Sequence, residues 1–93
     1  MDLLWACYSG KGRPEYKLLL VLGKSNGKVV CLDADKLDDS DRQFLRSKSA
    51  YMDKLSLDEK VALIKEMKPH IIKNCKTIGE GNLRISKTYP ITS

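Results

Sequence analysis

Cys7-Tyr8-Ser9-Gly10-Lys11-Gly12-Arg13 sets a thiol and a guanidinium at the two ends of a stretch that holds two glycines. A tight glycine-containing loop can wrap one tetrahedral anion with its backbone amides, and this spacing brings sulfur and guanidinium onto the same oxyanion. Cys31, Cys75 and His70 are the other soft or imidazole ligands, and with Cys7 they match the count of a zinc site built from three thiolates and one imidazole. None lies in a Cys-x2-Cys pair, and only His70 and Cys75 are near one another, so Cys31 and Cys75 are expected in the core and no metal is expected. His70 is the only histidine and no Gly-x-Ser-x-Gly elbow exists, which removes serine catalysis.

The Cys7 to Arg13 stretch resembles the phosphate-binding loop of cysteine-dependent phosphatases. That resemblance, confined to this loop and its neighbours, implies Cys7 as the nucleophile on phosphorus, Arg13 as the clamp on the equatorial oxygens, and Asp33 or Asp35 as general acid. In that family the loop feeds its arginine into a substantial helix whose N-terminus lowers the thiol pKa. Here residues 14–23 read first as a strand, with a short helix opened by Pro14 and Glu15 as the rival reading. Two other look-alikes fail. Gly23-Lys24-Ser25 ends like a Walker loop but has Leu18 where the first glycine belongs, and Asp33-Ala34-Asp35 opens like a calcium loop but has Asp38 and Phe44 at its glycine and glutamate positions. No cofactor is expected.

Charge is distributed unevenly along the 93 residues: residues 1–32 carry a net +3, residues 33–59 a net −3 and residues 60–93 a net +5. Two basic segments around an acidic one favour acidic partners, either phosphate backbones or acidic protein faces. Lys11 and Arg13 in the loop, and Lys65, Lys73 and Lys76 beside the apolar stripe of the second helix, are the candidate binding residues. Tyr8 or Tyr16, if exposed, could stack on unpaired bases.

The elements that must position these groups follow from periodicity. Leu3 to Tyr8 is apolar on both alternating sets, the pattern of a covered strand. Tyr16 to Leu22 and Lys28 to Leu32 flank Asn26-Gly27, a tight-hairpin signal. Ser56 with Glu59 is a capping box, and Leu57, Val61, Ile64, Met67, Ile71 and Cys75 form one helical stripe running through Pro69. Leu83, Ile85, Tyr89 and Ile91 alternate with polar residues, with Lys87 as an interruption. The expected fold is α+β in a single domain over residues 1–93. A small, mostly antiparallel sheet has strands near 3–8, 16–22, 28–32 and 83–89, with helices near 40–53 and 57–76, the second kinked or broken at Pro69.

No apolar run approaches the roughly twenty residues of a membrane span, no secretion signal is visible, and three widely spaced cysteines suit reduced thiols, so a cytoplasmic setting is expected. The function reading is a small non-enzymatic binding protein, a regulator or inhibitor that docks on a protein partner through charged surface. Nucleic-acid binding is the alternative, and a phosphatase-like enzyme using Cys7 and Arg13 the second alternative.

Overall fold

A computed structural model of the chain describes residues 1–8 and 14–91. Five strands, β1 (Asp2–Tyr8), β2 (Glu15–Ser25), β3 (Lys28–Asp33), β4 (Cys75–Gly79) and β5 (Leu83–Pro90), pair antiparallel throughout in the order β4-β3-β2-β1-β5. Helices α1 (Asp39–Met52), α2 (Leu57–Met67) and α3 (Pro69–Ile72) lie between β3 and β4 in the chain. The antiparallel α+β architecture expected from the sequence is present, and the segment after Pro14 is strand rather than helix. Asn26 (φ 53°) and Gly27 (φ 74°) both take the left-handed conformation, giving the two-residue turn whose twist matches the flanking strands.

Local chemistry starts and stops the helices. The Asp38 carboxylate accepts from the Asp41 amide at 2.7 Å, and Ser56 and Glu59 cap α2 reciprocally. At Lys68 the backbone leaves the helix, and Pro69 opens α3 at its first position, where a missing N–H loses no bond. The stripe through the break holds as far as Ile71, since Ile64 and Ile71 are fully buried although Met67 is exposed. Its last member departs from expectation. Helix ends at Ile72, and Cys75 belongs to β4, where it pairs with Leu32. β4 forms because β3 offers an open edge and the second face of the sheet offers burial to Ile78, neither of which is local information.

On one face of the sheet Leu20, Leu22 and Leu32 pack with Leu45, Met52, Ile64 and Ile71 of the helices. A bulge at Leu22 resets the alternation of β2, so that Gly23 follows Leu22 onto this side, where a Cβ would come within 3.1 Å of Leu57; Lys60 of α2 donates to the Leu22 carbonyl at 2.8 Å. The opposite face carries a smaller cluster of Leu19, Val29, Cys31 and Ile78. Only Glu80–Asn82 separate β4 from β5, although these are the two edges of the sheet. Four chain steps reach at most about 14 Å, whereas four strand spacings in a flat sheet total about 19 Å, so the sheet must curl. Ile78 and Leu83, at either end of the bridge, both pack on the smaller cluster, so the curl closes on the face away from the helices. A cleft of about 340 Å³ remains inside it, lined by residues that include Leu4, Val21, Val29 and Ile85. Among the described residues no helix is long and apolar enough to cross a membrane.

Candidate functional site

The helix layer leaves part of its own side of the sheet bare. Leu3, Trp5 and Cys7 project to that side from β1, and the pairings Trp5 with Leu18 and Cys7 with Tyr16 place the β2 residues beside them. Leu3 packs against the core, but Trp5 is 39% exposed and Tyr16 59% exposed. A covered β1 was expected from its two apolar sets; Leu4 and Ala6 are indeed buried, while the helices stop short of Trp5. The two rings stack on one another, with centroids 5.8 Å apart and planes 20° from parallel.

β5 completes the site through an irregularity. Trp5 pairs with Lys87 but Ala6 pairs with Ile85, so Ser86 is an extra residue and the alternation of β5 reverses across it. Arg84 and Lys87, an odd number of positions apart, would face opposite sides in a regular strand. The bulge instead sets both on the Trp5 face, Lys87 directly across from Trp5 and Arg84 directly across from Cys7. It also splits the expected inward set of β5, since Leu83 and Ile85 face the cleft and Tyr89 the other side, opposite Leu3. Two rows therefore cross the sheet, Arg84-Cys7-Tyr16 and Lys87-Trp5-Leu18, with cations at one end and apolar or aromatic groups at the other. A recess of about 150 Å³ adjoins the second row, lined by Leu18 together with Arg42 and Arg46 of α1.

The two faces of the sheet differ in charge. The registers put the strand carboxylates Asp2, Glu15 and Asp33 on the cleft side, and no strand carboxylate on the Trp5 side. On the cleft side Glu15 and Asp33 have lysine partners, while Asp2 has none among the described residues. Asp33 is buried, accepts from Lys17 Nζ at 3.2 Å and from the Asp35 amide at 3.2 Å, and has Lys76 Nζ at 3.5 Å. Burial alone would raise the Asp33 pKa, but the Lys17 and Asp35 hydrogen bonds and the two ammonium groups hold it below its ordinary value, and the same carboxylate raises the pKa of Lys17. Lys24 and Glu80 pair at 3.6 Å across the cleft rim. On the Trp5 side, among the described residues, neither Arg84 nor Lys87 has an ion-pair partner.

The sequence-derived candidates fall in several places. Lys11 and Arg13 lie outside the described residues, as do residues 9–13 of the anion loop as a whole; only its first two residues, at the end of β1, are described. Of the two candidate acids, Asp33 is on the opposite face of the sheet from Cys7, and Asp35 lies in the single helical turn Ala34–Lys36 that follows β3. Lys65 on α2 and Lys73 after α3 are exposed, but Lys76 sits on β4 beside Asp33, so the basic strip drawn on one continuous helix is divided by the turn into β4. Cys7, Cys31 and Cys75 occupy three different strands, and His70 binds the buried Asp41 carboxylate at 2.8 Å; no cluster of three metal-ligating side chains exists among the described residues. Cys31 is fully buried and burial pushes its thiol up to about 11. It is expected to resist a thiol reagent at neutral pH in the folded protein and to react once the chain is unfolded in urea, which mass mapping of the modified cysteines will show.

Compared with protein-family models, curated proteins and solved structures, the chain matches none. The site therefore rests on its geometry. The signal for it in the sequence was the pairing of Trp5 with a nearby aromatic on the next strand; the bulge that recruits Arg84 and Lys87 carried no local sign.

Proposed function

We propose that this chain is a non-enzymatic binding protein that docks on a macromolecular partner through the bare part of its sheet around Trp5 and Tyr16, acting as a regulator or inhibitor. The supporting observation is the stacked Trp5–Tyr16 pair left exposed beside Arg84 and Lys87, which have no ion-pair partner among the described residues. Trp, Tyr and Arg contribute most to recognition energies, and a large ring kept in water is costly unless something covers it. The basic balance of the chain adds long-range attraction for an acidic partner.

Immobilised chain should retain a stoichiometric macromolecule from its native source, and the double variant Trp5→Ala/Tyr16→Ala should release it while keeping the wild-type circular dichroism spectrum. Equal retention by both proteins would overturn this reading. So would turnover of an aryl phosphate that disappears in Cys7→Ser, because the Cys7 thiol would then be the working group.

A further inference from the structure

The Trp5–Tyr16 surface has the composition of a stacking platform with a phosphate rail, and we infer that the macromolecule it receives is a single-stranded nucleic acid. This rests on the docking reading above and names the partner for the same surface. Three features carry it. The near-parallel pair presents a broad aromatic face, most openly at Tyr16, and any unpaired base can extend such a stack whatever its sequence. Arg84 and Lys87 follow one strand beside the β1 and β2 side chains, so a backbone laid along β5 meets cations while its bases reach inward over Trp5 and Tyr16. The strand carboxylates all face the cleft, so on the Trp5 side no strand carboxylate repels phosphate or offers those cations an internal partner.

The β5 bulge strengthens the case, because it alone sets both cations on the aromatic side. Beyond Leu18 the surface continues to the recess lined by Arg42 and Arg46, a further positive stretch for the strand to follow. A duplex is excluded by the same geometry: its bases are stacked on one another and offer no free face to Trp5.

Trp5 is the only tryptophan, so its emission reports on the platform directly. The full chain is titrated with single-stranded RNA and DNA oligomers of about 12 nucleotides, labelled for anisotropy, and with the corresponding duplexes. The single strands should quench Trp5 and bind more tightly than the duplexes. Two phosphate contacts predict a slope of log K against log salt of about −1.4. Trp5→Ala should weaken single-strand binding by about 5- to 150-fold, the loss of one stacked base. Tyr16→Ala should likewise weaken single-strand binding, and Arg84→Gln/Lys87→Gln should flatten the salt slope.

Unchanged emission and anisotropy at low salt would overturn the inference. So would binding that Trp5→Ala leaves intact, which would move the contact to Lys65 and Lys73 or elsewhere. A protein partner that needs Trp5 and Tyr16, found in the absence of any oligonucleotide binding, would overturn the nucleic-acid assignment and leave the docking surface standing. Indifference of every partner to the double variant would remove both.

Discussion

Alanine in place of Leu45 is expected to lower the unfolding free energy by about 3–5 kcal/mol, the upper part of the range for burying a leucine and then deleting it. Leu45 is fully buried, and with Met52 it forms the wholly buried apolar contribution of α1 to the core. The recess of about 150 Å³ that Leu45 helps to line already adjoins it, so truncation enlarges an existing void instead of opening one that neighbours can close. A domain of this size has only about 5–15 kcal/mol in total. Even a loss of about 3 kcal/mol should lower Tm by roughly 12–24 °C. Urea titration will measure the change, with the slope m unaltered if the unfolded states are alike. Tyr51→Ala is the matched control on the same helix: Tyr51 is 58% exposed, and its removal should stay within about 0.5 kcal/mol. Equal losses in the two variants would mean that α1 turns a different face to the sheet.

The contrast between Leu45 and Tyr51 also shows what sequence periodicity conveys. Both are apolar or aromatic side chains of the helix expected near 40–53, and spacing alone does not reveal which of them meets the sheet. Local stereochemistry was legible: Asn26-Gly27 dictates its hairpin, Ser56 with Glu59 starts α2, and Pro69 breaks the helix. Each of these is decided within a few residues by φ preference or by an amide seeking an acceptor. β4 was not legible, because Cys75 falls in phase with the helical stripe and its pairing partner Leu32 is far upstream. The stacking surface was half legible. Alternation says that Trp5, Cys7, Tyr16 and Leu18 can share a side, but how far two helices reach across that side is set by tertiary packing. Arg84 and Lys87 were hidden for another reason: a bulge changes the parity of a strand, and nothing near Ser86 announces one. The lysine strip failed on parity as well, since a helix-wheel angle for Lys76 has no meaning once Lys76 is in a strand.

Asp33→Asn is expected to cost about 2 kcal/mol near neutral pH, the usual worth of hydrogen bonds to a charged group. Asparagine keeps the shape and can still accept from the Asp35 amide, so the variant isolates the charge shared with Lys17 and Lys76. Those lysines are each 28% exposed and can turn their ammonium groups toward water, which keeps the loss below that of a sealed ion pair. The pH dependence identifies the mechanism. An unfolded aspartate titrates near about 3.9, and Asp33 in the fold lies lower, so its contribution is complete above that value and disappears as pH falls through the folded pKa. Lys17 is raised above 10.5, so its contribution is complete below that value and is lost as pH rises through its folded pKa. Wild type should therefore exceed Asp33→Asn by a constant margin between these limits, and the two stability curves should converge toward both acid and alkaline pH. Asp41, also lowered because His70 and Lys68 together outweigh its burial, retains its own acid dependence in the variant. Chemical denaturation across the pH range measures the margin. A pH-independent difference would show that the loss comes from accommodating the asparagine amide, with the Asp33 charge contributing nothing to the fold.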